Sequence, residues 1–117
     1  MREIRWYRTW AGRAPATEFI DSLSRQQQRK VTWTLERVEQ DERVSPQYLK
    51  KLRGTDELWE IRVRSANDAF RLLCFFDGAR VVVVVSGFAK KSEQTPQAEI
   101  ETAHLRKQDY FRRKDQA

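Results

Sequence analysis

Five charged residues are spaced so that they can share one surface: Glu60, Arg62, Arg71, Lys90 and Lys91. In "ELWEIRVRS", residues 57–65, apolar and charged side chains alternate. Trp59, Ile61 and Val63 then point to one side of a strand, and Glu60, Arg62 and Arg64 to the other. Arg71 interrupts "AFRLLCFF", a run that is otherwise apolar on both faces. If the connection runs from Ser65 to Asp68, Arg64 faces Ala69 and Arg62 lies directly opposite Arg71. An odd-length connection would put the two arginines on opposite faces. Opposed arginines repel across a ladder, so an anionic ligand between them is the natural explanation. One carboxylate among several cations suits chemistry on a phosphate. Glu60 can accept a proton, and the cations can stabilise charge that develops as the phosphate reacts.

Lys90 and Lys91 follow the run "ARVVVVVS", in the stretch "GFAKKSEQTP". Asp77-Gly78 is a hairpin signal. A two-residue turn there sets Phe76 against Ala79 and Arg71 against Val84. Val84 and Ser86 then share a face with Arg71, and the lysines project over that face to complete a cationic bowl. A second reading stays open. The lysines can equally be solvated charges that block pairing at a strand end, and Glu60 and Arg62 an ordinary exposed face. Arg71 needs an anion in either case, Glu60 or a substrate phosphate. His104, Cys74, Tyr110 and the tryptophans read as packing residues. One histidine and one cysteine cannot supply the usual metal-ligand sets, and no Gly-rich phosphate loop or Ser/His/Asp set is visible. No metal and no cofactor are expected.

The elements that must hold these residues can be read in order. "EIRWYRTW", residues 3–10, suggests an edge strand. Pro15 opens a short helix carrying Phe19, Ile20 and Leu23. Ser24 and Gln27 form a capping-box pattern, starting a helix with Val31, Leu35 and Val38 on one narrow face. Three antiparallel strands follow from residue 57. Thr95-Pro96 reads as N-cap and first position of a last helix with Ile100, Ala103 and Phe111 on one face. The order is strand, two helices, three strands, helix. The expected class is α+β, a small antiparallel sheet with helices on one face, and residues 1–117 form a single domain.

Thirty-nine per cent hydrophobic residues, with four Trp, six Phe and three Tyr, give the chain enough apolar area to fold. The formal charge of +6 favours a polyanionic partner, nucleic acid first. The single cysteine cannot form an intramolecular disulfide, and "MREIRWYR" has no apolar signal core. A cytoplasmic protein without membrane association is expected.

"KLRGTDELWEIRV" and "FRLLCFFDGARVVVVVSGFAKKSEQTPQAEIETA" together resemble the RelE/HigB-like toxins of bacterial type II toxin–antitoxin systems, in their phage-derived branch. The resemblance runs from about residue 50 to about residue 112. It implies a RelE/ParE-like α+β fold similar to metal-independent microbial RNases. It also implies a ribosome-dependent endoribonuclease that cuts mRNA in the ribosomal A site and inhibits translation. The implied partners are the ribosome, its mRNA and a cognate helix-turn-helix antitoxin, with operator DNA reached only through that antitoxin. Carried over by position, Arg62 and Arg71 match basic residues that bind the scissile phosphate, and Lys90 and Lys91 match the basic loop after the last strand. Glu60 stands where some members have lysine. Several relatives have Tyr or His just after the loop, where this chain has Ser92, Glu93 and Gln94. Two other readings remain: a non-enzymatic ParE-like gyrase inhibitor, and a plain nucleic-acid-binding module.

Overall fold

The β-strand Asp68–Asp77 is apolar between its two terminal aspartates except at Arg71, and both of its faces are covered. In the computed structural model, which describes residues 1–116, it is the centre of a five-stranded sheet. The elements in chain order are β1 Glu3–Trp6, α1 Pro15–Asp21, α2 Arg25–Gln40, β2 Leu49–Lys51, β3 Trp59–Ser65, β4 Asp68–Asp77, β5 Val81–Ala89 and α3 Gln97–Gln116. The spatial order is β1-β5-β4-β3-β2. β1 runs parallel to β5, and every other pair is antiparallel. The class is α+β in the expected element order, with the three-residue strand β2 added.

The helices cover both faces of the sheet, which corrects the one-face expectation. Phe70, Leu72 and Cys74 of β4 pack with Ala16 of α1 and Val31 and Val38 of α2. The alternating residues Leu73 and Phe75 pack with Ala103 of α3. The physical reason lies in β4 itself: a strand apolar on both sides needs two covers. α1 approaches β5 so closely that a Cβ at Gly87 would stand 2.5 Å from the Phe19 ring. Only glycine fits there. α2 starts with the expected capping box. Ser24 Oγ accepts from the Gln27 amide at 3.2 Å, and the Gln27 side chain accepts from the Ser24 amide at 2.9 Å.

The β3–β4 register matches the expectation: Arg64 faces Ala69 and Arg62 faces Arg71. The β4–β5 register does not. Asp77 pairs with Val81, so three residues form the turn, with Gly78 at φ +75°. A β-bulge then falls between the Cys74–Val84 and Leu73–Ser86 pairs, and Val85 is the extra residue. Arg71 therefore faces Phe88 rather than Val84. Ser86 keeps the face of Arg71, while Val84 packs on the opposite one. Arg106 of α3 donates to the Val85 carbonyl at 2.9 Å and to Ser86 Oγ at 2.8 Å. It thereby binds the carbonyl of the bulged residue and the buried Ser86 hydroxyl together.

The far end of α3 is tied down at the β4–β5 turn. Lys114 Nζ donates to both oxygens of Asp77, at 2.7 and 2.8 Å, and Tyr110 Oη donates to one of them at 2.7 Å. These hydrogen bonds, Lys114 first, hold the Asp77 carboxyl below its usual range. A carboxyl whose folded pKa is depressed adds stability above its unfolded value, and that stability is lost as pH falls through the folded value. Asp77→Asn should therefore be less stable than wild type at neutral pH. The two should converge below about pH 4; urea titrations across that range measure the difference.

Among the described residues, no helix is long and apolar enough to cross a membrane.

Candidate functional site

β3 presents Glu60 and Arg62 on the face covered further along by α3, and β4 presents Arg71 beside them. The covering makes the site. Glu60 is only 3% exposed and Arg71 7%, both very low for charged residues. The Glu60 carboxylate lies between the two guanidinium groups. Oε1 accepts from Arg62 Nε at 3.0 Å and lies 3.5 Å from Arg71 Nε. Oε2 accepts from Thr95 Oγ1 at 3.0 Å. Arg71 Nη1 also donates to the Phe70 carbonyl at 3.4 Å.

Of the two anions that the sequence offered for Arg71, Glu60 is therefore one it has. A single carboxylate between two arginines still leaves the trio with one surplus positive charge. Burial lowers the Arg71 pKa; Glu60 opposes that effect, and Arg62 and Arg64 add to it. A guanidinium remains charged under such pressure, so the group is a desolvated cation, electrostatically stronger than one in water.

Lys90 closes one side. Its amide donates to the Ala69 carbonyl at 2.8 Å, which holds the loop after β5 against β4. Its side chain is 16% exposed and pairs with Glu93 at 3.2 Å. That hydrogen bond is the main influence lowering the Glu93 pKa, and the charges of Arg71 and Arg62 lower it further. Glu93 is thus an exposed carboxylate facing the same cations that a substrate anion would meet. Lys91 lines a separate hollow with Arg64, Asp68, Lys90 and Glu93 at the end of the β4–β5 pair. Glu60, Arg62 and Arg71 come together; Lys90 and Lys91 both line the neighbouring hollow, and Lys90 is linked to the trio through Glu93, which feels the charges of Arg71 and Arg62.

Two participants were not singled out from the sequence. Thr95 was expected to cap α3, but that helix begins at Gln97 and the Pro96 carbonyl accepts its first bonds. The Thr95 hydroxyl turns to Glu60 instead. Lys50 lies opposite Glu60 in the β2–β3 register. With Arg53, Glu60, Arg62 and Thr95, it lines a hollow of about 410 Å³. The basic run "YLKKLRG" was a visible signal for Lys50, but a three-residue strand gives too little periodicity to fix its face. Cys74 is fully buried, and burial pushes its thiol up and away from reactivity. It is a core residue.

A buried carboxylate thus bridges two arginines at the mouth of a hollow lined by further cations, on a small α+β sheet. Residues 18–108 match the model of a family described as "Phage derived protein Gp49-like (DUF891)". The chain belongs to this phage-derived family, which is RelE-like and associated with toxin–antitoxin systems. No curated protein matches the chain.

Proposed function

We propose that this protein is the toxin of a type II toxin–antitoxin pair, a RelE/HigB-like endoribonuclease that cuts mRNA on the ribosome. The observation that carries the reading is the Glu60–Arg62–Arg71 trio, with Glu60 and Arg71 buried and one surplus positive charge, beside a hollow that Glu60 and Arg62 line with further cations. RNA brings its own nucleophile, the ribose 2′-OH. The protein must take its proton, balance charge on the phosphate, and return a proton to the departing 5′ oxygen.

In this reading Glu60 Oε2 is the base. The Thr95 hydroxyl already donates to it at 3.0 Å, so a substrate hydroxyl can take over a hydrogen bond that a protein hydroxyl now makes. Arg62 and Arg71 stabilise the equatorial oxygens of the phosphate. Lys90, whose partner Glu93 feels the charges of both arginines, protonates the leaving oxygen. The 2′-oxygen forms a bond to phosphorus as the P–O5′ bond breaks. The products are a 2′,3′-cyclic phosphate and a 5′-hydroxyl, and no metal is required. The +6 net charge supports binding to ribosomal RNA. An antitoxin would neutralise the protein by covering this face.

Expression of the protein alone should arrest growth by stopping translation, and primer extension on programmed ribosomes should show cuts in the A-site codon. Arrest of DNA replication with intact mRNA would favour gyrase inhibition; salt-sensitive binding without cleavage would leave only a nucleic-acid-binding module.

The lysines give a sharper test. The Lys90→Gln, Lys91→Gln double variant should remain folded and lose cleavage, while ribosome cosedimentation weakens far less, because cations elsewhere still engage rRNA. Separately, Lys90→Gln should carry most of the loss and Lys91→Gln little. Full cleavage by the double variant would return both lysines to the role of strand-end protection.

A further inference from the structure

A groove of about 760 Å³ lies between α2 and the outer edge of β3. It exists because the chain peels away from β3 before residue 49. A turn at Ser45–Tyr48 contains Pro46, and only the Arg62 amide, bonded to the Tyr48 carbonyl at 2.8 Å, continues the pairing. Beyond that point the edge of β3 faces open space, and α2 forms the opposite wall. Its volume is in the range of small-ligand sites, about 300–1,000 Å³.

The lining is one-sided in charge: it includes five cations and no carboxylate. Arg29 and Lys30 come from α2, and Arg62, Arg64 and Arg71 from the sheet. Two aromatic rings stand among them. Trp33 is 39% exposed, an unusual amount for so large an apolar side chain on a helix packed against a sheet. Tyr48 meets it edge to face at 5.4 Å. Lys30 Nζ lies over the indole at 4.1 Å from its centroid and the Arg37 guanidinium at 5.6 Å, so cations now rest on the ring face that a base would take over. Arg62 lines both this groove and the hollow around Glu60, so its guanidinium borders both.

Cations along a groove with an exposed aromatic platform are the elements of a single-stranded nucleic-acid track. We propose that this groove is a nucleobase subsite. The reading rests on the proposed nuclease function and deepens it: with the scissile phosphate at Arg62 and Arg71, a neighbouring nucleotide enters the groove and stacks its base on Trp33. Lys30 and Arg29 take the next phosphate. The open backbone edge near Arg64 and the side chain of Gln47 offer hydrogen bonds to the base edge.

The test needs neither ribosome nor cleavage. Fluorescence anisotropy at low salt compares a hexamer of 2′-O-methyl adenosine, which cannot be cut, with the same backbone carrying no bases. Wild type should bind the adenosine hexamer about tenfold more tightly. Trp33→Ala should bind both hexamers like the abasic one, Trp33→Phe should keep most of the difference, and Arg71→Ala should weaken both alike. Should Trp33→Ala fail to fold, photocrosslinking of a 5-iodouracil hexamer to wild type must map to Trp33 or Tyr48, and crosslinks elsewhere overturn the subsite. Equal binding of the two hexamers by wild type also overturns it. So does displacement of the hexamer by an acidic strand-forming peptide with no base preference, which would assign the groove to a protein partner. A base preference that depends on Trp33 without any cutting on ribosomes would keep the subsite and remove the nuclease reading. Cutting without base preference would do the reverse.

Discussion

Arg71→Ala is expected to reduce mRNA cleavage by about a hundredfold or more while leaving a folded protein. The loss follows from position. Arg71 is the desolvated member of the guanidinium pair, so its charge acts on a phosphate with little screening by water. The folded state survives because Glu60 keeps two donors, Arg62 Nε and Thr95 Oγ1, and because a cation facing another across a ladder has been removed. A buried carboxylate left with no partner would be far more damaging. Arg71→Lys should not restore activity, since an ammonium cannot offer the planar fork of a guanidinium. Single-turnover cleavage on programmed ribosomes, read beside thermal melts, separates the outcomes. If Arg71→Ala unfolds while a folded Arg62→Ala cuts normally, Arg71 is a structural partner of Glu60 and leaves the site.

The second large effect concerns stability. Phe75→Ala should cost about 3–5 kcal/mol, a substantial share of the roughly 5–15 kcal/mol that holds a domain of this kind together. Phe75 is fully buried on the α3 face of β4. Its ring meets Tyr110 and Phe111 at centroid separations of 5.4 Å each, so truncation opens a cavity and removes two aromatic contacts that dock the helix. Urea denaturation should show a lower midpoint with an unchanged slope. If the slope falls as well, α3 has detached in the native state. Tyr110 would then lose its bond to Asp77, and the acid sensitivity tied to that carboxylate would fade with it.

The parts of the fold legible in the sequence are those set by short-range rules. The link between β3 and β4 is short enough for its length to decide pairing, so the Arg62–Arg71 opposition follows by counting once that link is taken as Ser65–Asp68. The Ser24 capping box is likewise a local pattern with a local cause. The β4–β5 register escaped because five valines in a row carry no alternation. Nothing in them marks Val85 as the extra residue or distinguishes a two-residue turn from a three-residue one. The placement of α3 was misjudged, although β4 held the sign of it in its two apolar faces. At the site, cations and carboxylate could be picked out by type. Thr95 could not, because a hydroxyl just before a helix has a capping role by default, and only the shift of the start to Gln97 frees it. The groove beside Trp33 arises from a strand that ends early, and the absence of pairing leaves no mark in the residues concerned.

The bulge at Val85 divides β5 into two lengths with different duties. Up to Val84 the strand is interior, flanked by β1 on one side and β4 on the other. Past Val85 only β4 accompanies it, and the chain runs out towards Lys90. Pairing on both sides of the bulge would survive a run of four valines, because Val85 occupies no rung of the ladder. The fifth valine therefore does not lengthen the wall. It stands between rungs, its carbonyl held by Arg106 and its side chain buried in the core beneath α3.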